Sequence, residues 1–148
     1  MKILEAYKLA ATLHAGQLDK SGRPYIEHLS RVFLRVCEAS GTNIMRIAAL
    51  LHDSIEDGKA TPQELMAAGV PPMAVDLIDT LSRSERETYA EYIDRVAIDN
   101  WATGVKLADL ADNMDPERVA AFAAIDPAKS ARLMKRYEAA VAALVKTA

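Results

Sequence analysis

The sequence predicts an all-α protein, a compact single-domain helical bundle over residues 1–148. Three observations carry this expectation. Alanine is abundant and aromatics make up 5% of the chain, which favours helices packed through small side chains over a sheet sandwich. Apolar residues recur at helical spacing in segment after segment, and no stretch alternates with the period of a strand. Proline, glycine and capping residues fall between those segments, where helices start and stop.

The first helix is expected from about Lys2 to Gly16, with Ile3, Leu4, Tyr7, Ala10, Ala11 and His14 at helical spacing. Gln17 to Pro24 reads as a loop, and Pro24 suits the first position of the next helix. That second helix carries Ile26, Leu29, Val32, Phe33 and Val36 on one face and ends near Gly41. A third runs from about Asn43 to Asp53 or a little beyond. Thr61-Pro62-Gln63-Glu64 has the form of a capping box, so a short helix starts there and Gly69 ends it. Pro71-Pro72 opens another helix through Leu81, and Ser82 to Arg86 is a turn. Glu87 to Asn100 is read as one helix that buries Tyr89, Tyr92, Ile93, Val96 and Ala97. Tyr89, Tyr92 and Arg95 share a helical spacing that suits a pocket wall, though core packing with a hydroxyl at the rim is the favoured reading for the tyrosines. Val105 to Met114 is an alanine-leucine helix whose polar positions are Asp109, Asp112 and Asn113. Asp115-Pro116 and Asp126-Pro127 each read as an N-cap followed by a first-turn proline, the second opening a final helix to about Lys146.

The bulk properties exclude several classes of function. A net charge of −3 gives no electrostatic footprint for duplex nucleic acid. No segment has eighteen consecutive apolar residues, so no membrane span is expected, and Lys2, Glu5 and Lys8 stand where a signal peptide needs an apolar core. The one cysteine, Cys37, has no internal partner and is read as a small core residue, which fits a reducing compartment. A soluble cytoplasmic protein is expected, with nothing in the sequence to set an oligomeric state.

Chemistry concentrates in Ala48-Ala49-Leu50-Leu51-His52-Asp53-Ser54-Ile55-Glu56-Asp57-Gly58. On a helix, His52 and Glu56, Asp53 and Glu56, and Asp53 and Asp57 would be neighbours, crowding negative charge onto one turn. Such like-charge pairs cost roughly 0.2–0.5 kcal/mol each, and a bound cation would offset that cost. His28 alone fits a satisfied imidazole better than a ligand. His52 beside Asp53, and Asp109 inside an apolar helix, shift the balance toward a metal. Two imidazoles and two carboxylates suit Mn, Fe, Co, Ni or Zn and match Ca poorly.

The order His28 … His52-Asp53 … Asp109 resembles the ligand order of the HD superfamily of metal-dependent phosphohydrolases. Ala11-Thr12-Leu13-His14-Ala15-Gly16-Gln17, followed by Lys20-Ser21-Gly22-Arg23-Pro24-Tyr25-Ile26-Glu27-His28, is similar to the opening of the hydrolase domain of RelA/SpoT alarmone enzymes. The stretch from Ala48 to Asp57, and Val105-Lys106-Leu107-Ala108-Asp109 with Asn113-Met114, resemble that domain's central and closing motifs. The chain stops where larger members continue into a synthetase domain, so the resemblance is to the stand-alone small alarmone hydrolases.

The resemblance implies an HD-type fold and removal of pyrophosphate from the 3′ position of guanosine tetra- or pentaphosphate. It implies a divalent ion, usually manganese, held by His28, His52, Asp53 and Asp109. It further implies Glu56 and Asp57 as the acidic pair serving the attacking water and proton transfer, Lys20 beside the substrate, and Asn113 by the nucleotide. One position departs from the family: Asp19 stands where a basic residue helps to hold the guanine nucleotide. An acidic group there repels phosphate and offers no guanidinium plane. The expectation is weak or secondary hydrolysis of the tetraphosphate. Two further readings stay open, another nucleotide phosphate as the substrate, and a nucleotide-binding regulatory module without turnover. His14 is read as structural.

Overall fold

Apolar runs punctuated by proline, glycine and capping side chains fold into nine helices among the described residues, 1–147, of the computed structural model. They are α1 (Ile3–Leu13), α2 (Tyr25–Glu38), α3 (Asn43–Leu51), α4 (Pro62–Ala67), α5 (Pro72–Thr80), α6 (Tyr89–Val96), α7 (Asn100–Asn113), α8 (Pro116–Ile125) and α9 (Pro127–Thr147). The described residues contain no strand; one isolated antiparallel bridge, between Leu18 and Pro24, pins the loop after α1. The all-α expectation holds.

The fold is built around α3. Its Ile47, Ala48, Ala49, Leu50 and Leu51 are all buried, the pattern of a helix enclosed on every side. Around it pack α1, α2, α5 and α7, while α9 lies against α6, α7 and α8. Small side chains make the close approaches possible. A Cβ on Gly104 of α7 would lie 2.8 Å from Met45 Cε of α3, and one on Gly41 would lie 2.5 Å from Val36 Cγ1. Each buried leucine or isoleucine contributes about 1.5–3 kcal/mol relative to exposure, and the central helix concentrates three of them, Ile47, Leu50 and Leu51.

Three boundaries differ from the sequence reading, each for a local reason. First, α3 stops at Leu51, so residues 52–58 are turns and not a helix face. The Ser54 hydroxyl donates to Leu51 O at 2.6 Å, Asp57 N–H to Asp53 O at 2.9 Å, and the chain turns out through Gly58 at φ 66°. A hydroxyl competing for a carbonyl at the helix end is a known way to stop a helix. Second, the segment read as one helix from Glu87 to Asn100 ends at Val96. Third, α7 begins five residues before Val105, because Asp99 caps it, accepting from Trp101 N–H at 2.8 Å and Ala102 N–H at 3.0 Å. Cys37 is half-buried on α2 and not enclosed in the core. The expected caps at Thr61, Asp115 and Asp126 are present, accepting from Glu64, Arg118 and Lys129 N–H respectively.

Candidate metal centre and active site

Three helices bring their polar residues to one point. On α2, proline before Tyr25 sets the start of the helix, and His28 follows one turn in, facing α3 and α7. The end of α3 supplies His52 as its C-cap and Asp53 beyond it, and α7 supplies Asp109. His28 Nε2 lies 3.1 Å from Asp109 Oδ1 and 3.8 Å from Asp53 Oδ2. His52 Nε2 lies 3.4 Å from Asp109 Oδ1 and 3.2 Å from Asp53 Oδ2. Ligand atoms of His28, His52 and Asp109 all fall within 4.8 Å of one another, and Asp53 reaches both imidazoles from the adjoining side.

The outward nitrogens of both rings are already engaged. His28 Nδ1 pairs with Asp112 Oδ2 at 2.7 Å, and His52 Nδ1 with Ala49 O at 2.8 Å. These acceptors leave each Nε2 free to point inward, and His52 Nε2 is buried with no hydrogen-bond partner. A carboxylate behind one ligating histidine and a carbonyl behind the other is the arrangement that orients imidazoles toward a metal. The donor set therefore fits a divalent ion of the borderline transition series. Burial disfavours charged imidazoles here, but the surrounding carboxylates outweigh it and raise both ring pKa values. Burial likewise opposes the Asp109 anion, which Lys106 and the histidines hold well below the usual carboxylate range.

The supporting residues are those that the sequence reading missed. Asp112 is fully enclosed and accepts from Arg31 Nε at 2.7 Å and Arg118 Nη1 at 2.8 Å as well as facing His28. Burial pushes its carboxyl up, but His28 and Arg31 prevail and hold it at about 2. Tyr25 donates to Asp53 Oδ2 at 2.6 Å, and Lys106 Nζ donates to Asp109 Oδ2 at 2.8 Å. Spacing carried a partial signal: Arg31 is three residues beyond His28 and Asp112 three beyond Asp109, so both pairs share a helix face.

Glu56 and Asp57 stand at the exposed edge of this cluster and point apart. Glu56 Oε1 accepts from Arg83 N–H at 2.6 Å, and Asp57 Oδ2 from Gln17 Nε2 at 3.0 Å. Donors from separate loops thus replace the repulsion expected on a helical turn. Desolvation first, and the Asp53 charge after it, raise both carboxyls above their ordinary values. Gln17 is oriented in turn by buried His14, whose Nδ1 lies 2.8 Å from Gln17 Oε1 and whose ring stacks on Tyr25. Lys20 lines the cleft from the exposed first loop, and Asn113 donates to Asp109 Oδ1 at 3.2 Å.

Asp19 corrects the electrostatic expectation. Its side chain is only 2% exposed: Oδ1 accepts from Ser21 N–H, Ser21 Oγ and Arg23 N–H, and Oδ2 pairs with Arg118 at 3.2 Å. Burial raises its carboxyl, but these bonds win and lower it. The charge is neutralised inside the loop, so the repulsion argued from sequence does not reach the cleft at full strength.

The cluster forms the floor of a cleft of about 380 Å³. It is lined by Lys20 and the first loop, by Arg83, Tyr89 and Lys106, and by Val119, Phe122, Met134 and Tyr137 of α8 and α9. Of the residues expected at the pocket wall, Tyr89 and Tyr92 line it, while Arg95 is turned away into Glu87, Thr80 O and Ser82 O.

Comparison with known proteins agrees with this geometry. Residues 6–103 match the HD domain family. The chain is 34% identical over 123 residues to the bifunctional (p)ppGpp synthase/hydrolase SpoT of Escherichia coli strain K12, covering 76% of this chain and 18% of that protein. It is 31% identical over 121 residues to a guanosine-3′,5′-bis(diphosphate) 3′-pyrophosphohydrolase of Aquifex aeolicus, covering 76% of this chain and 17% of that one. The chain thus spans less than a fifth of the length of these curated relatives. A solved structure described as a metazoan ortholog of SpoT that hydrolyses ppGpp superposes with a TM-score of 0.67 at 21% identity, over 98% of this chain and 92% of that one. At that identity the likeness establishes the fold.

Proposed function

Because the chain belongs to the HD domain family, we propose that it is a metal-dependent phosphohydrolase that removes the 3′-pyrophosphate of guanosine tetra- or pentaphosphate. The observation that carries this is the convergence of His28 Nε2 and His52 Nε2 on Asp109 and Asp53 beneath a cleft edged by Glu56 and Asp57. A regulatory module without turnover has no use for that acidic pair. HD domains bind divalent ions, and His28, His52, Asp53 and Asp109 would hold one, with manganese the metal we assign. Bound there, the ion supplies Lewis acidity toward a phosphoryl oxygen and acidifies water.

The chain's own groups do the rest. Glu56 and Asp57, with carboxyls raised by burial, orient the attacking water and take up its proton at a carboxylate oxygen. The water oxygen joins the first phosphorus, the bond from that phosphorus to the 3′ oxygen breaks, and the proton taken from the water passes from the carboxyl to the departing 3′ oxygen, which leaves as a hydroxyl. Lys20 offers an exposed ammonium to the phosphates from the first loop, and Asn113 a polar contact to the nucleotide. We take residues 1–148 as one HD-type domain acting in the cytoplasm on a small-molecule nucleotide, with Ala148 lying outside the described residues. No described helix is long and apolar enough to cross a membrane.

One observation favours a second substrate reading. The first loop carries Asp19 at the position of the family's basic residue, and Arg118 of α8 beside it is consumed by Asp19, Asp112 and Asn113, so neither offers a free guanidinium to a guanine base. Another nucleotide phosphate would then compete with the tetraphosphate. Chromatography of products from a nucleotide panel with manganese present tests both. Release of pyrophosphate from the tetraphosphate at the highest kcat/KM of the panel is expected; preference for a different nucleotide would move the assignment to that substrate.

A further inference from the structure

Of the three arginines that line the cleft, Arg118 is paired, with Asp19 and Asp112. Two guanidiniums at the cleft are not. Among the described residues, Arg83 and Arg136 form no ion pair with a carboxylate, although both line the cleft. Arg83 spends its backbone N–H on Glu56 and its Nε on Glu87 O at 3.4 Å, leaving its two terminal nitrogens unbonded. Both converge on Tyr89, with guanidinium carbons 4.8 Å (Arg136) and 5.8 Å (Arg83) from the ring centroid. Lys106 Nζ reaches the same ring at 6.0 Å from a third element, α7. The Tyr89 hydroxyl is buried and has no hydrogen-bond partner.

Unpaired guanidiniums gathered around one ring with a buried unsatisfied hydroxyl are an incomplete set of donors. They lack an acceptor of high negative charge. The set abuts the metal cluster, since Arg83 bonds Glu56 and Lys106 bonds Asp109. Lys20 of the first loop lines the same cleft outside this set.

We infer that Arg83, Arg136, Lys106 and the Tyr89 hydroxyl form a subsite for the distal phosphate of a pyrophosphoryl group whose proximal phosphorus lies over the metal cluster. The inference rests on the proposed reading of the cleft as a pyrophosphohydrolase site and adds what selects a pyrophosphoryl group over a single phosphate. A monophosphate reaches the cluster alone; a pyrophosphate also satisfies the arginines and the phenol. Arginine suits this task because its planar fork engages two phosphate oxygens at once.

The test is calorimetric titration of inorganic pyrophosphate, and separately of inorganic phosphate, into manganese-loaded full-length protein from which free metal has been removed. In Arg83→Gln/Arg136→Gln, pyrophosphate affinity is expected to fall by about tenfold or more, with a smaller loss for phosphate. Tyr89→Phe, which deletes one oxygen and keeps the ring, is expected to weaken pyrophosphate binding by a few-fold and guards against misfolding of the double variant. Arg132→Gln, on an exposed position of α9 away from the cleft, serves as the charge control. Unchanged pyrophosphate affinity in the folded double variant overturns the subsite, as does an equal loss for both anions or an equal loss in Arg132→Gln. Selective loss in protein that turns over no nucleotide keeps the subsite and removes the hydrolase reading. Tetraphosphate hydrolysis with pyrophosphate affinity untouched by the double substitution does the reverse.

Discussion

At the scale of single residues, the proposed reading divides the site into groups that would hold an ion and groups that would work beside it. Glu56 accepts only the Arg83 N–H and is not part of the imidazole–carboxylate cluster. Glu56→Gln is therefore expected to keep the ion, measured by elemental analysis, and to lower kcat by about 10²–10⁴-fold. Loss of the ion in that variant would move Glu56 into the ligand set. Asp112 has the opposite role. It contacts no cleft and fixes His28 through Nδ1, so Asp112→Asn is expected to weaken metal affinity by about 10–100-fold with the fold retained. Gln17→Glu tests the contact to Asp57 with little change in shape: it keeps an acceptor for His14 and removes the donor to Asp57. A drop in kcat with unchanged KM and metal content is expected; wild-type kcat would show that Gln17 only packs the loop. The sequence pointed to His28, His52, Asp53 and Asp109, which the fold brings together, because the proposed ligands must be particular residue types in a particular order. It hid Asp112 and Arg118 because a buried carboxylate and its counter-charge look, one at a time, like any polar position on a helix.

At the scale of elements, capping chemistry accounts for both what was legible and what was not. Thr61-Pro62-Gln63-Glu64 announced α4 because the reciprocal bonds need a hydroxyl and a carboxylate three residues apart. Asp99 gives α7 an equally good cap, but reading one helix from Glu87 to Asn100 places Asp99 inside it and hides the cap. Asp99→Ala is expected to cost about 0.5–2 kcal/mol in denaturant unfolding, since two N–H groups lose their acceptor. The loop between α5 and α6 is held by Arg95, which donates to Glu87, Thr80 O and Ser82 O. Arg95 bonds first, and the Ser84 N–H after them, hold the Glu87 carboxyl down at about 2. Its folded value lies below its ordinary one, so the stabilisation is fully present above about pH 4.5 and is lost as pH falls through about 2. Glu87→Gln should flatten that part of the stability–pH curve; an unchanged acid slope would show that the pair contributes nothing there.

At the scale of the whole molecule, the fold gathers ligands from α2, the end of α3 and α7 around one buried helix. Ion binding and folding are then coupled, because the unfolded chain cannot present the four groups together. With free ion at about 100 times its Kd, the native state gains about 2.7 kcal/mol, which for a chain of this size raises Tm by roughly 5–10 °C. Chelation should remove that increment and re-addition of the ion restore it. The all-α architecture was legible because helical spacing persisted along the chain. The neutralisation of Asp19 was not, because Arg118 lies 99 residues away in sequence and only the fold brings the two together.

The proposed chemistry is tested most directly by following guanosine tetraphosphate in manganese by ³¹P NMR, with wild type and Asp109→Ala measured alongside their metal content. Wild-type protein is expected to carry about one equivalent of metal, as a mononuclear site requires, and to release inorganic pyrophosphate in step with guanosine 5′-diphosphate. Asp109→Ala is expected to lose both metal and turnover. Release of single phosphates, or an Asp109→Ala protein with wild-type metal content and rate, would contradict it.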